Sequence, residues 1–123
     1  MLDKGAVISS DATEVIPYDD WAKERMYDRD VFTDCVDNEA ERCYFKTNKT
    51  PVVTVTNEKL GKTLTLSYTA DTLPYFVQWN SSASGDYALG LEPSTTLLGA
   101  KDFAYTMIGA GETKKLGIKI SVE

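Results

Sequence analysis

Six stretches of this chain alternate apolar and polar residues with a period of two, and nothing else in it limits the possible folds so tightly. They are ERCYFK (41–46), VVTVTN (52–57), KTLTLSYTA (62–70), YFVQWNS (75–81), YALGLEP (87–93) and KKLGIKISV (114–122). Successive side chains of an extended strand point to opposite faces, so each stretch predicts a strand with one face buried and one wetted. The separators NKTP, NEKLG, DTLP, SASGD and GAGET are rich in residues that set turn backbones. Short strands joined by short turns predict an all-β chain, an antiparallel β-sandwich. At 123 residues there is room for one hydrophobic core, so residues 1–123 are expected to form a single β-sandwich domain.

Residues 1–40 lack this alternation and form a less regular, acidic N-terminal segment. Asp20 is the expected cap of a short helix over Trp21 to Tyr27, with Ala22 and Met26 four apart on one side. Asp28, Asp30, Asp34 and Asp37 raise the question of calcium. An EF-hand loop needs a central glycine and a glutamate at its twelfth position, neither of which is in register, so a solvated loop face is the expectation.

Charge and motif content narrow the function. With 19 acidic against 13 basic residues the net charge is −6, which repels phosphate backbones and anionic bilayers, so neither nucleic acid nor membrane is an expected partner. No apolar run is long enough to span a bilayer, the first residues lack a signal-peptide layout, and a cytoplasmic location follows. Cys35 and Cys43 lack CxxC spacing and there is no histidine, which predicts free thiols and no metal. The missing histidine also excludes Ser–His–Asp and Cys–His nucleophiles. GAGETKK (109–115) is not a phosphate loop, and no cofactor motif is present.

The hairpin formed by 75–80 and 87–92 carries the candidate site. Pairing Val77 with Leu91 and Trp79 with Leu89 gives one continuous apolar face. The other face then holds Phe76, Gln78 and Asn80 beside Glu92, with Gly90 and Ala88 leaving open volume. A carboxylate, amides and missing bulk suit a hydroxyl-rich ligand, and Phe76 or Trp79 offers an aromatic surface for a sugar ring. Glu92 is thus a candidate catalytic carboxylate, with Gln78, Phe76, Asn80 and Trp79 as candidate substrate-binding residues. From spacing alone a plainer reading stays open, in which Glu92 is an exposed strand-end carboxylate and Gly90 marks a bulge. Asp86 reads as a turn residue, and Lys101 is a candidate contact for an anionic sugar substituent or simply a solvated lysine. Leu66, Val77, Leu89, Leu91 and Ile118 are the expected core.

LPYFVQWN (73–80) followed by YALGLEP (87–93) resembles the C-terminal part of the aldose 1-epimerase, or galactose mutarotase-like, proteins, and is most similar to a less characterised epimerase-like branch. GAGETKKLGIKISV (109–122) is similar to that family's closing hairpin, with Ala110 in the place of a usual proline. The resemblance covers residues 50 to 123. It implies an antiparallel supersandwich and interconversion of sugar anomers, with Glu92 as the general base that takes the proton of the anomeric hydroxyl. The family's general acid is a histidine, and this chain has none. The expectation is therefore the C-terminal portion of a longer epimerase-like protein, taking a monosaccharide or sugar derivative. Alternatives are a non-catalytic carbohydrate-binding module and a structural half-sandwich. A missing N-terminal half would leave a sheet face or edge uncovered, which favours homo-oligomers.

Overall fold

The structure, a computed structural model, describes residues 1–97 and 105–123. Its strands are β1 (Val7–Ser9), β2 (Ala12–Pro17), β3 (Arg42–Asn48), β4 (Val52–Asn57), β5 (Lys62–Tyr68), β6 (Tyr75–Ser81), β7 (Ala88–Ser94) and β8 (Ile118–Val122). They form two four-stranded antiparallel sheets, ordered β1-β4-β5-β8 and β2-β3-β6-β7. The fold is the antiparallel β-sandwich that the alternation predicts.

Alternation on β4 sends Val53 and Val55 inward, where they meet Ile8 of β1, Leu66 of β5 and Phe76 of β6 in one cluster with Ala6 and Phe32. Phe76 crosses the interior to stack on Tyr68, ring centroids 5.7 Å apart, and Tyr87 meets Phe32 edge-on. Beyond this patch the inner face of the second sheet is polar. Arg42, Tyr44 and Lys46 of β3 and Gln78 and Asn80 of β6 are all buried, and the chain between the first helix and β3 lies over them. Asp28 accepts from Arg42 at 2.9 Å and from Arg25, and Asp30 accepts from Lys46 at 2.6 Å. Burial pushes the Lys46 ammonium below its usual range, with Asp30 opposing the shift. The amides of Gln78 and Asn80 both donate to the Arg29 carbonyl, at 2.7 and 2.8 Å. Buried polar groups are tolerated when paired in this way. Asp28 and Asp30 are therefore part-buried ion-pair partners of interior cations, a correction to the solvated loop face, whereas Asp34 meets Lys4 at the surface.

Several local expectations are corrected. The helix α1 runs over Asp20–Glu24 and its cap is Asp19, whose carboxylate accepts from the Ala22 N–H at 2.8 Å; a 3₁₀ turn, Met26–Asp28, follows. The β6–β7 register is one residue from the expected one: Val77 faces Glu92, Gln78 faces Leu91, Trp79 faces Gly90 and Asn80 faces Leu89. A one-residue slip between paired strands exchanges which residues share a face. Here the inner face goes to Phe76, Gln78 and Asn80, where the Arg29 carbonyl accepts from the amide nitrogens of Gln78 and Asn80 while Gln78 Oε1 is buried without a partner. Val77 and Trp79 go outward with Glu92. Of the expected core, Leu66 is buried and Leu89 and Leu91 pack partly buried against it, while Val77 is half-buried on the outer face. Ile118 is 54% exposed, because β8 is an edge strand that the second sheet does not cover.

Candidate functional site

The outer face of the β2-β3-β6-β7 sheet bears a groove of about 350 Å³. Its floor comes from two cross-strand rows. Phe45, Val77 and Glu92 stand side by side on β3, β6 and β7, and Cys43, Trp79 and Gly90 form the next row. The walls come from the strand ends: Tyr18 and Asp19 follow β2, Glu41 precedes β3, and Ser94 and Thr96 lie at the end of β7. Tyr18 stands edge-on to Phe45, centroids 6.1 Å apart.

Trp79 and Glu92 are held differently. The Trp79 indole Nε1 donates to Glu41 Oε2 at 2.8 Å, which fixes the ring plane. Glu92 is exposed, and its carboxylate folds back over Gly90. A Cβ at position 90 would collide with Glu92 Oε1 and come within 3.2 Å of the Trp79 Cβ. The bare glycine thus leaves the carboxylate room to fold back toward the base of the Trp79 side chain.

Cys43 is half-buried at the floor and unbridged. Its thiol is pushed up to about 11, first by burial and then by the charges of Glu92, Glu41 and Asp19. It stays protonated at neutral pH, so it is a poor nucleophile there. The three carboxylates surround the groove without converging: no cluster of three or more His, Cys, Asp and Glu among the described residues is placed to hold a metal ion.

Of the sequence-predicted residues, Glu92 and Trp79 come together in the groove. Phe76, Gln78 and Asn80 do not; each is buried on the inner face. Asp86 sits in the β6–β7 turn, where it accepts from the Ser81 hydroxyl at 3.2 Å. Lys101 lies outside the described residues. Glu41, Cys43 and Phe45 were missed, although their spacing of two along β3 and the residue before it puts them on one face. Asp19 and Tyr18 come from the segment without alternation, and no local signal places them at the groove. No helix among the described residues is long and apolar enough to cross a membrane.

Comparison with known proteins bears on the fold. A crystal structure of a protein provisionally described as an aldose 1-epimerase, from Klebsiella pneumoniae subsp. pneumoniae MGH 78578, superposes with a TM-score of 0.68 at 18% identity. The match covers 75% of this chain and 26% of that one, so the chain spans about a quarter of that protein's length. The chain therefore shares an aldose 1-epimerase-like fold. No curated protein matches. The family described as "Domain of unknown function (DUF4432)" matches residues 1–122, nearly the whole chain, and the protein belongs to that family.

Proposed function

We propose that the groove binds a free sugar, and that the chain is a portion of an epimerase-like protein in which Glu92 is the general base of anomer interconversion. The observation that carries this reading is the placement of the Glu92 carboxylate over Gly90, in an open groove that Trp79 also lines. A pyranose presents an apolar ring face and a rim of hydroxyls. Trp79 offers the ring face its stacking surface, and Glu92, Glu41 and Ser94 offer acceptors to the rim. In this reading Glu92 takes the proton of the anomeric hydroxyl, the ring opens as its oxygen is protonated, and closure on the other carbonyl face gives the other anomer.

The chain has no histidine to protonate the ring oxygen, and Cys43, with its raised affinity for its proton, is a weak donor. Ring-oxygen protonation then falls to water. A positioned general acid is typically worth about 10²–10⁴ in rate, so this chain by itself accelerates mutarotation marginally. The similarity over a quarter of a longer protein fits a catalytic partner supplied by further sequence. Polarimetry with glucose and galactose tests the assignment. The expected result is marginal acceleration that Glu92→Gln removes; robust turnover indifferent to Glu92→Gln discards the site.

A further inference from the structure

We propose that the groove selects a sugar bearing a protonated amino group, a hexosamine rather than a neutral or an anionic aldose. The inference rests on the carbohydrate reading above and concerns the charge of the sugar. Asp19, Glu41 and Glu92 line the groove, and none of its described lining residues is Lys or Arg. The cause lies in the alternation of β3. Its outward residues Cys43 and Phe45 form the floor, and its cations Arg42 and Lys46 are sent to the inner face, where Asp28 and Asp30 hold them. The nearby Arg25 is likewise committed to Asp28 and Glu39, at part-buried positions.

The groove is therefore a negative field with an aromatic centre. Cys43 registers that field from the floor, since all three carboxylates act against loss of its proton. The carboxylates form no metal-chelating set among the described residues, and they attract an ammonium group through their shared field. The face of Trp79, held in plane by Glu41, adds cation–π attraction. Among the described lining residues a phosphate or carboxylate on the sugar meets only like charge, and like-charge juxtaposition is a strong rejecting device.

The test is calorimetric titration of the full chain with glucosamine, glucose, glucose 6-phosphate and cyclohexylamine, at low and high salt. An ammonium beside exposed carboxylates gains on the order of tenfold at low ionic strength, and the gain shrinks with screening. Glucosamine is expected to bind about tenfold tighter than glucose at low salt and glucose 6-phosphate weaker than either, with Glu41→Gln/Glu92→Gln narrowing the gap. Equal affinities for glucosamine and glucose, or tightest binding of the phosphate, overturn the charge preference and leave the carbohydrate reading standing. Cyclohexylamine binding as tightly as glucosamine keeps the charge preference and overturns the carbohydrate reading. Absence of binding by all three sugars overturns both.

Discussion

Gly90 decides where the carboxylate of Glu92 can lie, because the space a Cβ would take there is filled by that carboxylate. Gly90→Ala is expected to expel the Glu92 side chain from its position beside Trp79 and to weaken sugar binding as much as Glu92→Gln does. The severe clash is with the end of a flexible side chain and the approach to the Trp79 Cβ needs only a small shift, so the melting temperature should fall modestly. Wild-type affinity in Gly90→Ala, measured by the same titration, would show that the folded-back carboxylate is irrelevant. Cys43 gives a second residue-scale expectation. Alkylation needs the thiolate, and a thiol raised from 9.0 to about 11 supplies it only as pH climbs. Mass spectrometry after brief iodoacetamide treatment should show Cys35, which is exposed, modified first, with Cys43 rising to a midpoint near pH 11. Glu41→Gln/Glu92→Gln should lower that midpoint, since both charges favour the protonated thiol. The sequence places Glu92 and Trp79 on adjacent strands but on opposite faces, and the one-residue shift in register is what puts them on one face. Their companions were misassigned because Gln78 and Asn80 look like outward-facing polar residues until the Arg29 carbonyl is in place, and that partner is 49 residues from Gln78.

Strand β3 shows why period-two reading succeeds for the element and fails for its faces. Its buried positions, Arg42, Tyr44 and Lys46, include the two charged residues, so the inner face looks like the solvent face. The alternation itself survives, which is why β3 to β7 were legible to within a residue or two. Strands β1 and β2 were not. β1 has three residues, and β2 is an edge strand with no fully buried residue, whose last residue is Pro17. Edge strands bury little and tolerate proline, so their pattern is weak. The paired interior yields a stability prediction. Arg42→Ala leaves the Asp28 carboxylate short of one cation beside a buried void, and loss of one partner from a buried pair costs about 3–5 kcal/mol. Leu91→Ala, at a partly buried position, should cost less than the ~2–5 kcal/mol of a fully buried leucine. Urea titration measures both, and an Arg42→Ala loss below about 1 kcal/mol would mean that the Arg42–Asp28 pair contributes nothing net.

At the scale of the whole molecule, the two sheets do not cover each other completely. Register places Ile118, Ile120 and Val122 of β8 opposite Tyr68, Leu66 and Leu64, on the face that elsewhere forms the core, yet they are 54%, 60% and 53% exposed. Among the described residues no strand pairs with the outer edge of β8. An open edge beside an apolar face is a template for strand addition. A second copy is a fitting occupant. Antiparallel pairing of two β8 strands about Ile120 sets Ile118 against Val122 and Lys119 against Ser121, so apolar residues meet on one face and no like charges meet on the other. One five-residue strand from each copy is a small contact, so the association should be weak and concentration-dependent. Sedimentation velocity across a concentration series is expected to show monomer giving way to dimer. Ile120→Lys places two ammonium groups opposite each other at the symmetry centre and should abolish the dimer. Because Ile120 is mostly exposed, its melting temperature should change little. A chain that stays monomeric at every concentration, or a dimer indifferent to Ile120→Lys, would show that β8 is not where two copies meet.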